Sequence, residues 1–154
     1  MSEQINPYNI ILSNEELLER FTPLINSSKV DYTKQLHPAP ICLSVNGQSF
    51  ASLGNFSLVI GKLKSRKTFF VSMALAAAVN NSTYSDLITA TLPADKKRVI
   101  FIDTEQSRYK VHEVAKRVAK MSGISTPENF EVYSFRGMST IDRILSIVDI
   151  PLKE

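Results

Sequence analysis

The stretch FSLVIGKLKSRKTFFVSMALAAAV, residues 56–79, decides the predicted fold. Its first five residues form a short apolar run, which is typical of a buried strand. Residues 69–79 are apolar on nearly every side and predict a helix buried against a sheet. Between them lies a loop that begins at Gly61 and ends in Lys67-Thr68. A strand, a loop that opens with glycine and a helix, in this order, predict a binding site for phosphate groups.

The loop has the order of a P-loop, G-x-x-x-x-G-K-[ST]. The backbone N–H groups of such a loop form a nest for an anion, and the helix N-terminus adds partial positive charge. We expect Lys67 to reach the β- and γ-phosphates and the Thr68 hydroxyl to bind Mg²⁺. The predicted nucleotide-binding residues are Gly61, Lys62, Leu63, Lys64, Ser65, Arg66, Lys67, Thr68 and Phe69.

Arg66 stands where the motif has its second glycine. Glycine there relieves steric limits where the backbone comes close to a phosphate. An arginine must either tolerate the same backbone conformation or reshape the loop, and we expect its side chain to point outward. With Lys62 and Lys64 it would add positive charge around the phosphates. The alternative interpretation is a basic, solvated turn before a helix.

Upstream of this stretch, the pattern predicts one helix and one hairpin. Residues 13–16, Ser-Asn-Glu-Glu, fit a capping box and predict a short helix over about 14–22 that ends before Pro23. Residues 26–40 are polar and contain two prolines, which is typical of a linker. Asn46-Gly47 lies between two alternating runs and predicts a β-hairpin over residues 41–53.

Downstream, strands and helices alternate. Residues 80–95 read as a polar loop, and residues 98–103 and 130–135 as buried strands. Apolar stripes predict a helix between these strands, closed by Gly123, and a last helix over about 139–149. The order predicts an α/β fold of three layers, α/β/α, with a mainly parallel sheet. We assign residues 1–40 to an N-terminal helix and linker, and residues 41–154 to the sheet domain.

The composition limits the class of protein. The chain has 154 residues, of which 44% are hydrophobic and 21% charged, as in a globular domain with a sizeable core. It has no apolar run long enough for a transmembrane helix and no basic, apolar N-terminal leader, so we expect no membrane association and a cytoplasmic location. The net charge of +3 permits contact with nucleotides or nucleic acid without establishing either.

A second candidate site follows the strand at residues 98–103, which ends in Ile-Asp-Thr-Glu. Ligands of parallel sheets bind beyond the carboxyl ends of the strands, so Glu105 is expected at the same edge as the loop. Its carboxylate could activate a water molecule for attack on a γ-phosphate. The alternative is that Asp103 and Glu105 cap the helix that follows.

The loop at residues 61–68 and the later Val-Ile-Phe-Ile-Asp-Thr-Glu, residues 99–105, together resemble the RecA-like ATPases, most nearly the RepA-type ATPases of plasmids and mobile elements. The resemblance covers roughly residues 40–150. It implies ATP and Mg²⁺ as ligands, Glu105 as the catalytic base, and a role in DNA replication, as a helicase, or in mobilisation. DNA is therefore a candidate partner.

The resemblance has a gap. In this family a Walker B strand, which ends in an aspartate, follows the helix that is predicted here over about 139–149. That strand lies between the P-loop strand and the strand that ends in the catalytic glutamate. We expect the chain to be cut short before it, with weak or no ATP turnover. The hairpin, a second chain or direct pairing of the two strands would have to fill the gap.

Two other functions remain open. The first is a non-catalytic assembly module that forms homo-oligomers through exposed strand edges. The second is a DNA-binding module that uses the basic helix face of Lys110, Lys116, Arg117 and Lys120. A solvated face is the simpler interpretation of these four side chains.

Overall fold

A computed structural model describes residues 14–62 and 64–150. The chain divides into two compact units between Pro38 and Ala39. The first contains helix α1, Asn14–Ser28, which runs through Pro23. The prediction that this helix ends before Pro23 is therefore wrong. Proline removes one helical hydrogen bond, but the carbonyl that loses it belongs to the exposed Glu19, where water can replace the donor. Ser13, the predicted cap, lies outside the described residues.

The second unit begins with the predicted hairpin. Strand β1, Ile41–Val45, pairs antiparallel with β2, Gln48–Ser52. The turn residues Asn46 and Gly47 have φ values of 48° and 74°. Positive φ at both positions is what a type I′ turn requires, so Asn-Gly fixes the hairpin at this place.

The predicted polar loop at residues 80–95 contains two short strands instead. Strands β3, Thr83–Tyr84, and β4, Ile88–Ala90, extend the hairpin into an antiparallel sheet of order β2-β1-β4-β3. Ile88 and Ala90 are buried although polar residues surround them. The two apolar residues were too few for a strand pattern, and β4 forms because the open edge of β1 accepts it.

Helix α2, Lys67–Asn80, is the centre of the unit, and its apolar character on all sides has a direct cause. On one side Ala77 packs with Ile88 and Ala90 of the antiparallel sheet. On another side, Ala76 and Val79 pack with residues of the elements that follow. The predicted buried helix is confirmed. Its small alanines allow neighbours to approach on two faces.

Those following elements form a β-α-β unit. Strand β5, Val99–Asp103, helix α3, Arg108–Ser122, and strand β6, Phe130–Ser134, follow one another, and β5 and β6 pair in parallel. Val99 faces Phe130 at one end of the pair and Asp103 faces Ser134 at the other. Gly123 ends α3 with a φ of 76°, as predicted. Both strands and the helix between them confirm this part of the predicted fold.

Residues 56–60, the predicted first strand, are not a strand. Phe56, Leu58 and Ile60 are 95%, 75% and 82% exposed, and only Val59 is half-buried. A strand needs a neighbour for its backbone N–H and C=O groups, and no described strand pairs with this segment. The described residues form four helices and two sheets, with one parallel pair of strands, so the fold is mixed α/β. These residues do not show the predicted arrangement of one mainly parallel sheet between two layers of helices.

Helix α4, Thr140–Asp149, is confirmed close to its predicted bounds. Arg143 Nε donates to the Phe135 carbonyl at 3.2 Å, and Arg98 Nη1 donates to the Ile150 carbonyl at 3.0 Å. Ile141, Leu145 and Val148 nevertheless lie 70%, 63% and 61% exposed. The helix is thus held by polar contacts near its two ends, while an apolar stripe faces solvent. No helix in the described part of the chain is long and apolar enough to cross a membrane.

Candidate functional site: the loop at residues 61–68 and Glu105

The loop before α2 is folded tightly. A Cβ atom placed on Gly61 would lie 2.5 Å from Ser65 Oγ and 3.3 Å from Ser65 Cβ. Real Cβ atoms do not approach other heavy atoms to 2.5 Å, so a larger residue at 61 would require the Ser65 side chain to move. The Ser65 amide also donates to the Lys62 carbonyl at 3.2 Å. The loop therefore contains a hydrogen-bonded turn, and its described residues are exposed to solvent.

Lys67 folds back over this loop. Its Nζ atom donates to the Gly61 carbonyl at 2.5 Å and to the Lys62 carbonyl at 3.3 Å. The ammonium group thus lies over the loop, although the side chain is exposed. A phosphate oxygen bound here would replace one or both carbonyls as the acceptor, with the added strength of an ionic hydrogen bond.

Arg66 tolerates the backbone conformation that glycine would adopt more easily. Its φ and ψ are 61° and 24°, in the left-handed region, and it is the N-cap of α2. This conformation costs an ordinary L-residue about 1–2 kcal/mol. Its carbonyl accepts from the amides of Phe69 and Phe70 at 2.9 and 3.1 Å. Of the two alternatives, Arg66 therefore accepts the left-handed backbone conformation, and its side chain is exposed as expected.

The first turn of α2 points its amides towards this loop. The amides of Lys67 and Thr68 precede the first intrahelical acceptor, so helix geometry gives them no carbonyl partner within α2. No acidic side chain lies in this turn to neutralise the positive end of the helix dipole. The end of α2 is therefore open to an external anion.

Asp103 organises the segment that carries Glu105. Its Oδ1 atom accepts from the amides of Glu105 and Gln106 at 2.9 and 2.6 Å, and Oδ2 accepts from Gln106 Nε2 at 2.9 Å. Helix α3 is capped by another residue, Ser107, whose hydroxyl accepts from the Lys110 amide at 3.4 Å. The alternative that Asp103 and Glu105 cap α3 is therefore wrong. The Glu105 carboxylate is left at the surface.

One cleft of about 540 Å³ brings the two predicted sites together. It is lined by five loop and helix residues, by Glu105 and by its neighbour, namely Lys64, Ser65, Arg66, Lys67, Thr68, Glu105 and Gln106. Gly61 and Lys62 are outside this lining, although their carbonyls accept from Lys67, and Leu63 is not among the described residues. Phe69 lines a second cleft next to the first.

Gln106 is a lining residue that sequence reasoning missed. A single glutamine after Glu105 carries no motif, and its position depends on the two hydrogen bonds to Asp103. The only available signal was the aspartate at the end of a strand, since Asp commonly bonds the backbone amides that follow it. With Gln106 held by Asp103, the cleft has an amide side chain next to the carboxylate of Glu105.

The residues of this cleft fit a magnesium nucleotide. No group of three or more His, Cys, Asp or Glu side chains in the described part of the chain could hold a metal ion by itself. Mg²⁺ in nucleotide sites is held mainly by phosphate oxygens and water, with one or two protein ligands. Thr68, which lines the cleft, would supply such a ligand, and the basic residues around it would bind the phosphates.

No protein-family model, curated protein or solved structure matches this chain. The motif at residues 61–68 and the geometry of the cleft therefore stand on their own.

Proposed function

We propose that this cleft binds the triphosphate of a nucleoside triphosphate, ATP in the first instance, together with Mg²⁺. The observation that carries the proposal is that one cleft joins Lys67 and Thr68 with Glu105, which come from separate parts of the chain. Two further features support it: Gly61 allows a closed loop, and the end of α2 carries no acid. A solvated basic turn would require none of the three.

Each residue has a distinct role in the proposed complex. Lys67 leaves the Gly61 carbonyl and binds the terminal phosphates, and the Thr68 hydroxyl ligates Mg²⁺. Glu105 holds a water molecule against the terminal phosphoryl group. Mg²⁺, when bound, neutralises charge on the phosphates. Within the described residues, Glu105 is the one carboxylate that lines the cleft. The described lining thus has no second carboxylate to order Mg²⁺, as the Walker B aspartate does in the RecA-like ATPases, so we expect binding with weak or no turnover.

Isothermal titration with a non-hydrolysable ATP analogue and Mg²⁺ tests the proposal. We expect binding that Lys67→Ala weakens at least about tenfold, since the loss of one ionic hydrogen bond costs about 1.5–3 kcal/mol. Lys96→Ala, which removes an exposed lysine outside the cleft, is the matched control and should bind as the unchanged chain does. Absence of binding, or equal affinity for Lys67→Ala, would refute a nucleotide site.

By its resemblance to the RecA-like ATPases, we further propose that the chain acts in DNA replication, as a helicase, or in mobilisation of a mobile element. We propose with it that the chain has the three-layer α/β/α arrangement of that family, of which the described residues show one parallel pair of strands. The exposed Lys110, Lys116 and Lys120 of α3 support contact with a phosphate backbone. Fluorescence anisotropy with single-stranded DNA should then show binding that weakens steeply with salt, and salt-independent or absent binding would count against DNA.

A second candidate function, homo-oligomeric assembly, is favoured by the exposed apolar stripe of α4. Contiguous apolar surface of this kind commonly marks an interaction site. Light scattering coupled to size exclusion should give a dimer or larger species without nucleotide. Leu145→Glu should restore a monomer, whereas Leu36→Glu, at another exposed leucine, should not. A monomer at all concentrations would exclude this function.

A further inference from the structure

Beside the phosphate cleft lies a second one, also of about 540 Å³. It is lined by Arg66, Thr68 and Phe69 from the start of α2 and by Arg117 from α3. Arg66 and Thr68 line both clefts, so the two adjoin at the first turn of α2. Val114 and Val118 of α3 pack with Ala76 and Val79 of α2, so the buried core holds the two helices side by side.

The side chains of the second cleft combine cations with an aromatic ring. Phe69 is 46% exposed, although it is a large apolar residue next to the core. Arg66 and Arg117 are not in any ion pair among the described residues, and both are exposed. Uncompensated guanidinium groups favour an anion, and they also stack on flat aromatic groups. A phenyl ring offers a stacking surface for any nucleobase.

The order of the two clefts gives a bound nucleotide a direction. Glu105 and Lys67 lie in the first cleft, where the terminal phosphate belongs. Phe69 and Arg117 line only the second cleft, while Arg66 and Thr68 line both. A triphosphate that begins at Glu105 and crosses the first turn of α2 therefore leads its nucleoside end into the second cleft.

We propose that Phe69 and Arg117 bind the nucleoside end of the nucleotide. The base stacks on Phe69, and the Arg117 guanidinium contacts the ribose and the α-phosphate. This inference rests on the proposed function, because the phosphates must occupy the loop for the nucleoside to reach the second cleft. It assigns Arg117 a role in ligand binding, in place of a position on a solvated or DNA-binding face.

The test compares a nucleotide with inorganic tripolyphosphate, which has no nucleoside. Titrations with the non-hydrolysable ATP analogue should show affinity about tenfold lower for Phe69→Leu and Arg117→Ala, since stacking and a charged contact are each worth about 1–3 kcal/mol. Affinity for tripolyphosphate should stay within about twofold for Phe69→Leu, which keeps an apolar side chain and every cation. Arg117→Ala should lower it much less than it lowers nucleotide affinity. Lys96→Ala, which removes an exposed lysine outside both clefts, should change neither.

The failures of the two proposals can be told apart. Equal nucleotide affinity for Arg117→Ala and the unchanged chain, or equal losses for both ligands, would overturn the role of Arg117 while leaving the phosphate site in place. Among the variants compared, Lys67→Ala alone is expected to weaken binding of both ligands at least about tenfold. If neither ligand binds the unchanged chain, the proposed function and this inference both fall.

Discussion

Asp103 holds Gln106 through two contacts: Oδ1 accepts from the Gln106 amide at 2.6 Å, and Oδ2 accepts from the Gln106 Nε2 atom at 2.9 Å. Both oxygens of one carboxylate are thus used to shape the turn after β5. The Phe135 amide in turn donates to the Asp103 carbonyl at 2.7 Å, which ties this turn to the end of β6. Glu105 owes its place in the cleft to this turn.

We therefore expect Asp103→Ala to lower the free energy of unfolding by about 1–3 kcal/mol, because two amides and one side-chain donor lose their acceptor. Gln106→Ala, which removes the side-chain contact alone, should cost about 1 kcal/mol. Urea denaturation measures both. The control is Asp95→Ala, at an exposed aspartate outside the cleft, with an expected change within about 0.5 kcal/mol. A loss for Asp103→Ala no larger than the control's would contradict the structural role.

Gly61→Ala should weaken tripolyphosphate binding, because the new Cβ would lie 2.5 Å from Ser65 Oγ and 3.3 Å from Ser65 Cβ, so that Ser65 must move. Adding Ser65→Ala should restore part of the affinity, since the atom then nearest to the new Cβ lies at 3.3 Å. Titration calorimetry measures the change. Gly137→Ala is the matched control, because a Cβ there meets nothing within 4 Å. Unchanged affinity for Gly61→Ala would mean that the tight loop is not the binding form.

The left-handed conformation of Arg66 predicts an unusual order of stability among its variants. Arg66→Gly should be more stable than Arg66→Ala by about 1 kcal/mol, because alanine keeps the Cβ atom that makes a φ of 61° costly. At Lys116, inside α3, the order should be reversed, with glycine less stable than alanine by about 1 kcal/mol. Urea denaturation of the four variants measures both differences. The same order at both sites would argue against a left-handed residue 66.

Acid should weaken the contact between β5 and β6. The Arg98 guanidinium donates to both carboxylate oxygens of Glu131, and Tyr133 donates to one of them, which together lower the pKa of Glu131 from 4.5 to about 2. A carboxyl group whose pKa is lower in the folded state stabilises the fold above its unfolded pKa. This contribution is lost as the pH falls from about 4.5 to about 2.

Thermal melts between pH 7 and pH 2 should therefore show a decrease in melting temperature over that window. Glu131→Gln should lower the melting temperature at pH 7 and flatten this part of the curve, because no charge remains to be titrated at residue 131. Glu128→Gln, at an exposed glutamate of the preceding turn, should leave the curve unchanged in shape. An unaltered pH dependence for Glu131→Gln would show that other carboxyl groups control the acid transition.

Local patterns predicted most of the elements correctly. Asn46-Gly47 placed the hairpin because few other dipeptides accept positive φ twice in succession. The stripe of Val111, Val114 and Val118 placed α3, and these three side chains are buried. Where a pattern was wrong, the missing information was a neighbour. Residues 56–60 carry a strand pattern without a paired strand, and Ile88 and Ala90 form a strand because β1 lies beside them.

By itself, the sequence determined the local chemistry of this protein: a glycine-initiated basic loop, a helix behind it and a carboxylate after a strand. Only the tertiary structure decided which of these meet. The packing of α2 against α3 and β5 brings Lys67 into one cleft with Glu105, and Phe69 into another with Arg117. A hydrophobic pattern states which face of a helix is buried. It does not state which neighbour buries it, because that choice depends on contacts between residues far apart in the chain.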